Sequence, residues 1–371
     1  MTTFLDLHVL QTVPPSNVNR DDTGSPKTAV FGGVRRARVS SQAWKRAMRV
    51  AFRETIAAQH LGQRTKRIVE LLSTEIKAQD PDISDDAAVA LAESVWSLTK
   101  IKVTSPSAKD GAEAKTAEAQ YLVFLSAMQI SGLAELAVTS RRTGEAMNGK
   151  EVVRRADTSH SIDIALFGRM VAEASDWNVD ACAQVAHALS VHAVDNEFDY
   201  FTAVDDQAPD DNAGAGMIGT VEFNSSTLYR YATVNVDALR AALADSAVTQ
   251  QAVAAFVQAF VTSMPTGKQA TFANRTLPDA VLVQVREGQP VNLVGAFEEP
   301  IRPDEGSRLA AAAGRLARRS AELDQAFGNA PTASWTVAVG AAREPLADVG
   351  EATDLAGLIR SVQAALPAPT Q

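Results

Sequence analysis

Residues 31–49 read FGGVRRARVSSQAWKRAMR. The chain is acidic, with 35 Lys+Arg against 44 Asp+Glu and a formal net charge of −9. This stretch runs the other way. Between residues 27 and 53 there are eight basic residues (Lys27, Arg35, Arg36, Arg38, Lys45, Arg46, Arg49 and Arg53) and no acid, a local balance of +8. An ordinary solvated surface mixes signs, so this segregation points to an anionic ligand. The pattern also carries structure. RRARV reads as an extended segment. Residues 41–58 have helical spacing, with Trp44, Ala47, Met48, Ala51 and Phe52 on one face and Lys45, Arg46, Arg49 and Arg53 on the next. Ser40 or Ser41 caps this helix. The preceding FGG permits a close backbone approach.

Outward from this segment, FLDLHVLQTV (4–13) alternates as a half-buried strand, with Leu5, Leu7 and Val9 inward and His8 opposite. PPSNVNRDDTGSP (14–26) is a loop. Residues 60–180 read as mostly helical, with a linker-like SPSAKDGAEAKTAEA at 105–119. An excursion resembling a β-hairpin, acidic and Gly-rich at its centre, fills 195–231. A strand follows at 227–236, then one long helix at 237–264, a loop and strand through 264–285, a helix near 304–327, a strand at SWTVAVG and a helix near 352–365. This order predicts an α+β fold, a sheet with helices on one side interrupted by a helical insertion.

A length of 371 residues allows two or three domains. No apolar run is long enough to span a bilayer, and the N-terminus lacks a basic leader, so a cytoplasmic protein with no membrane partner is expected. Cys182 is the only cysteine, which excludes a disulfide framework and a cysteine zinc site. His187 and His192 are five apart, off the spacing that suits a helical metal pair, and His160 with Asp163 makes a plain helix-face pair. All four are read as structural. GAGMIG (214–219) fits G-x-G-x-x-G, but acids precede it and a strand-like segment follows, whereas a dinucleotide site needs a strand before and a helix after. TGKQ (266–269) is not a P-loop, although Lys268 is suited to meet a backbone phosphate as a point charge. We therefore expect no catalytic residues, no cofactor and no metal.

Segregated cations attract polyphosphate and release counterions on binding. Arg grips phosphate with two donors. Asn19, Ser40, Ser41 and Gln42 are suited to add neutral hydrogen bonds. The residues thus describe a phosphate-binding strip. Two other readings stay open at this level: a DNA-binding transcriptional regulator using the helix at 41–53, and a nucleotide-dependent enzyme built on GAGMIG.

The stretch LHVLQTVPPSNVNRDDTGSPKTAVFGGVRRARVSSQAWKRAMR (7–49) resembles the N-terminal signature of the CasC family, the backbone of the type I-E CRISPR surveillance complex Cascade. The resemblance returns in DIALFGRM (163–170), in DYFTAVDD (199–206) with GTVEFNSSTLYRYA (219–232), and in PTGKQATFANRTLPD (265–279). It implies an RRM-like (ferredoxin-like) palm at 1–59 and 181–371, a helical fingers insertion at 60–180 and a β-hairpin thumb at 196–230. It implies several copies stacked head-to-tail along CRISPR RNA, other Cascade subunits as partners, and target DNA met through guide pairing. Carried over by position, the RNA contacts are Asn19, Arg20, Lys27, Arg35, Arg36, Arg38, Ser40, Ser41, Gln42, Lys45, Arg46, Arg49, Lys268 and Gln269, with Phe167 and Met170 near bases. Phe201, Thr202, Met217 and Ile218 are candidates for the thumb wedge. Seven acids between Asp195 and Asp211 fit poorly against RNA, and are expected to face solvent or a neighbouring subunit.

Overall fold

A computed structural model describes residues 1–105, 116–204 and 215–366. They form two compact units. The first comprises residues 1–51, 184–237 and 253–371; the second comprises 52–183 and 238–252.

The chain opens with β1 (Thr3–Ser16), the hairpin β2 (Thr28–Phe31) and β3 (Val34–Val39), and helix α1 (Ser41–Thr55). Next come β4 (Gly62–Thr65), α2 (Ile68–Gln79), α3 (Asp85–Ser97), β5 (Val103–Thr104), β6 (Glu118–Ala119), β7 (Val123–Ser126), α4 (Ala127–Thr143), α5 (Gly149–Ala156) and α6 (Ile162–Phe167). Short strands β8 (Ala183–Val185) and β9 (Ala188–Ser190) precede a long hairpin, β10 (Glu197–Val204) and β11 (Ala215–Asn235). Then follow α7 (Val236–Leu243), α8 (Ser246–Thr262), α9 (Gln269–Phe272), β12 (Ala280–Glu287), α10 (Arg308–Phe327), β13 (Ala333–Ala338), β14 (Glu351–Ala352) and α11 (Leu355–Ala365).

The first unit is built on a sheet of order β14-β13-β12-β1-β11-β9-β3-β2, with β8 and β10 also paired to β11. Strand β1 is its spine. It pairs antiparallel with β11 from Phe4↔Asn235 to Thr12↔Thr227, and with β12 from Thr3↔Glu287 to Leu10↔Ala280. The expected half-buried strand is buried on both faces: Leu5, Leu7 and Val9 are inaccessible, and so are Asp6 and His8. The sheet is covered on both sides, not one. On the Val9 face the cross-strand partner Arg230 lies under two rings, its guanidinium 3.7 Å from the Trp44 centroid and 4.7 Å from that of Phe260. On the other face Leu10, Tyr229 and Tyr231 share a core with Leu293, Phe297, Ala312 and Leu316.

That second face is polar at its centre. Asp6 accepts from the Val291 amide at 2.8 Å and from the Tyr231 hydroxyl at 2.9 Å, with Arg286 at 3.5 Å. His8 Nδ1 lies 2.9 Å from the Tyr229 hydroxyl. Burial drives the His8 imidazole down to about 3, and the nearby Arg286 charge adds to the effect. Burial raises the Asp6 carboxyl, partly opposed by its hydrogen bonds.

The single helix expected over 237–264 is two. Ala244 takes a left-handed conformation at φ 52°, and the Asp245 carboxylate accepts from the Val248 amide at 2.9 Å. An aspartate at this position caps a new helix instead of continuing the old one.

The second unit holds more strand than its helical periodicity suggests. β4 pairs with β7 and β5 with β6, so AQYLVFLS enters α4 through a strand. The α4 start carries a full capping box, Ser126 with Gln129. Its core gathers Leu72, Trp96, Leu133 and Trp177. Arg169, in DIALFGRM, is buried there and donates to the Trp177 carbonyl at 2.7 Å, the Ala156 carbonyl at 3.2 Å and Asp157 at 2.7 Å. The central part of the 105–119 segment lies outside the described residues.

The His8 environment makes a pH prediction. The unfolded imidazole protonates near its ordinary value and the folded one only near pH 3, so the unfolded state binds the extra proton between these values. Stability therefore falls as pH drops below about 6.5, by roughly 2 kcal/mol from pH 7 to pH 5 for this group alone. Urea midpoints at the two pH values measure it, and His8→Gln is expected to flatten the difference.

Candidate nucleic-acid interface

The strip begins with the β2–β3 hairpin. Its turn is Gly32-Gly33, with φ of 60° and 78°, the conformation that primed hairpin turns require. A Cβ on Gly32 would lie 1.6 Å from the Glu298 carbonyl oxygen. The close approach that FGG permits is thus made by the protein's own backbone.

Arg36 does not belong to the surface. It is 0% exposed. Its Nε donates to the Phe31 carbonyl at 3.1 Å, Nη1 to Ser190 at 2.9 Å, and Nη2 to Phe297 and Glu298, each at 2.9 Å. A guanidinium fully buried and committed to four carbonyls is out of reach of a phosphate. Arg35, next to it, is exposed. Arg38 is half-buried and donates from Nε to the Thr28 carbonyl at 3.0 Å, which fixes its fork on the strand edge.

The helix behind the hairpin is placed by its cap. Ser40 Oγ accepts from the Ala43 amide at 3.4 Å, and Asn19 Oδ1 accepts from the Ser40 amide at 2.9 Å. Ser40 is buried, so it serves the cap and not the surface. Trp44, Met48 and Phe52 are buried. Gln42 and Arg46 are exposed, and Ser41, Lys45 and Arg49 half-buried. Burial lowers the Lys45 ammonium from its ordinary value.

The loop before β2 is tied to the same frame. The Lys27 amide donates to the Asn19 carbonyl at 2.8 Å, and the Arg38 amide to the Lys27 carbonyl at 2.9 Å. Asn19, Lys27, Arg38, Asn224 and Ser226 are among the residues that line one small cavity of about 20 Å³. Arg20 is exposed beside it. The TGKQ loop closes on this region: a Cβ on Gly267 would lie 2.0 Å from the Val18 carbonyl oxygen. Lys268 follows in the left-handed region at φ 49°, a conformation costly for a side-chain-bearing residue. Lys268 and Gln269 are half-buried at the start of α9.

The hairpin β10–β11 rises from the same sheet. At its base the Glu222 carboxylate accepts from the Ser25 hydroxyl at 2.8 Å and the Asn196 amide at 3.0 Å, while Asn17 donates to the Glu222 carbonyl at 2.9 Å. Phe223 packs on Phe272 of α9, their centroids 5.9 Å apart. The register pairs Thr202 with Ile218 and Ala203 with Met217, so Thr202 and Ile218 share one face while Phe201 and Met217 share the other. The four wedge candidates are thus divided between the two faces of the hairpin. Phe201 lies across Gly219, where a Cβ would meet its ring at 2.4 Å. The Ile218 face also carries Phe198 and Tyr200, 67% and 64% exposed. Sequence reasoning passed over both, although their alternation with acids in EFDY marks them. The acids from Asp205 to Asp211 lie outside the described residues. So does Gly214, and the rest of GAGMIG is strand β11, not a turn into a helix.

Phe167 and Met170 belong to the second unit. The Phe167 ring stacks on Phe52 with centroids 5.9 Å apart, whereas Met170 is 81% exposed. Among the described residues, no group of three or more His, Cys, Asp or Glu is placed to hold a metal ion, and no helix is long and apolar enough to cross a membrane.

The Arg36 assignment is testable by stability. Arg36→Met strands four carbonyls, two of them in buried hydrogen bonds, and is expected to cost at least about 3 kcal/mol, whereas Arg46→Ala, on the exposed face of α1, is expected to cost about 0.5 kcal/mol or less. Denaturant midpoints with unchanged m-values check both.

Known proteins share this chain's sequence and architecture. Residues 5–361 match the family described as CT1975-like protein. A chain from a structure described as "CRISPR RNA-guided surveillance complex, pre-nicking" is 33% identical and superposes with a TM-score of 0.86, covering 98% of this chain and 99% of that one. A chain from a second "CRISPR RNA-guided surveillance complex" is 29% identical, with a TM-score of 0.75 and coverage of 98% and 100%. No curated protein matches. The family match spans nearly the whole chain and the likeness in structure is as complete, so the chain belongs to the CT1975-like family of CasC-type proteins.

Proposed function

We propose that this chain is a non-enzymatic, CRISPR RNA-binding backbone subunit of Cascade. The observation that carries the reading is the cationic strip of β3 and α1, held rigidly on the sheet of the first unit, in a chain whose structural relatives come from RNA-guided surveillance complexes. Phosphate contacts convey no sequence, so such a strip accepts any guide and leaves sequence to base pairing with target DNA. Lys27, Arg35, Arg38, Lys45, Arg46 and Arg49 supply the charge, and Lys268 and Gln269 add backbone contacts.

The first unit is the palm. An RRM-like reading is supported by the order β12-β1-β11-β9, which is fourth-first-third-second in the chain, with Trp44 of α1 and Phe260 of α8 on one face. That is the arrangement of a ferredoxin-like β-α-β-β-α-β unit. The insertion at 60–180 acts as fingers and the hairpin at 196–230 as a thumb. Several copies stack head-to-tail along the guide. Each thumb reaches its neighbour and displaces one base, leaving short stretches open for pairing. Other Cascade subunits complete the particle, which acts in antiviral defence.

Co-expression with a CRISPR RNA, followed by particle mass before and after ribonuclease at low and high salt, tests the reading. A large RNA-containing particle whose mass follows RNA length is expected. A small nucleic-acid-free species, or a defined dimer bound to duplex DNA, rejects it in favour of a regulator that uses α1 as a recognition helix.

Two variants probe the parts. Reversal of Lys45, Arg46 and Arg49 to Glu is expected to abolish RNA loading with the fold intact by circular dichroism. RNA retained at moderate salt would exclude the strip. Deletion of 203–217 is expected to leave the first unit folded and to weaken stacking or base displacement, read by particle length and nuclease footprint. Unaltered assembly and footprint would exclude the thumb.

A further inference from the structure

Strand pairing brings one more side chain to the strip. β3 and β9 pair through Arg38↔Leu189 and Val39↔Ala188, so His187 lies one step past the last pair, at the α1 cap. It is exposed, and its Nδ1 is 3.2 Å from Arg38 Nη1. Arginine is always a donor. Nδ1 must therefore accept, which makes the imidazole neutral and puts its proton on Nε2, the nitrogen turned away from Arg38. Arg38 cannot swing off to release the ring freely, because its Nε is bonded to the Thr28 carbonyl at 3.0 Å. Partial burial and the charges of Arg38 and Lys27 hold the imidazole below its ordinary value, in keeping with that tautomer. The result is a neutral N–H donor of fixed direction on the exposed strand edge, bonded to Arg38 and within the field of Lys27.

We infer that His187 is a further RNA-backbone contact, donating from Nε2 to a phosphate or ribose oxygen while Arg38 orients the ring. This rests on the RNA-binding reading above and adds to it a residue that contributes direction without charge. A neutral donor predicts a signature that a cation does not give. Losing a lysine or arginine phosphate contact shallows the salt dependence by about 0.7 in slope on a single strand, whereas losing a neutral donor weakens binding equally at every salt.

The experiment measures dissociation constants of the full-length chain for a mixed-sequence single-stranded RNA oligonucleotide over a range of KCl concentrations. His187→Ala is expected to weaken binding about five- to tenfold, one hydrogen bond's share, with the salt slope unchanged. His187→Gln, which keeps an N–H donor, is expected to recover part of the loss. Arg38→Ala is expected to lower both affinity and slope. Thermal melts of the two His187 variants within a degree or two of the parent separate binding from folding. Undiminished affinity in His187→Ala overturns the inference while leaving the strip standing. A slope change as large as that of Arg38→Ala overturns the neutral donor. A parent chain that binds no RNA overturns the underlying reading, and this contact with it.

Discussion

The interface depends on a cation that no ligand can reach. Arg36 sits in the middle of the basic run, yet its guanidinium is spent on the carbonyls of Phe31, Ser190, Phe297 and Glu298. These carbonyls belong to the β2–β3 turn, the end of β9 and the turn before α10. One side chain thus joins three stretches distant in sequence, and the outer arginines are positioned because this inner one is fixed. Burying a charge without a carboxylate is costly. The cost is met by multiple charge-assisted hydrogen bonds, and burial still lowers the Arg36 guanidinium from its ordinary value.

Much of this was legible beforehand. The helical spacing of Trp44, Met48 and Phe52 and the extended RRARV were read correctly because their periods are local. What was missed is non-local. Nothing in FLDLHVLQTV says that both faces are covered, since the cover comes from Trp44 and Phe260 on one side and from the 293–297 segment and α10 on the other. Nothing in RRAR distinguishes Arg36 from its neighbours, since the difference is made by carbonyls more than 150 residues away. The broken helix at Ala244 had a local sign, the Asp245 cap, that was outweighed by the apolar run. His187 was set aside because metal spacing was the question asked of it, whereas its role comes from a strand pairing that spacing does not reveal.

The hairpin teaches a related lesson. Its four wedge candidates were grouped by position in the chain, but a strand alternates faces, and the register divides them two and two. Phe198 and Tyr200 then join Ile218 on one face, so the hairpin presents large apolar groups on both sides. Gly219 is required under the Phe201 ring, which accounts for one glycine of a motif that otherwise suggests a nucleotide.

Glu222 gives the base of this hairpin a particular mechanical character. Its carboxylate is shared by Ser25, from the loop that carries Asn19 and Arg20, and by Asn196, from the chain entering β10. Swinging the hairpin as a free flap breaks both bonds, and bonds to a charged acceptor are worth about 1.5–3 kcal/mol each. The direction of the hairpin is therefore settled during folding, together with the loop beside it. Preorganisation of this kind lowers the entropic cost of every later encounter at this end of the sheet.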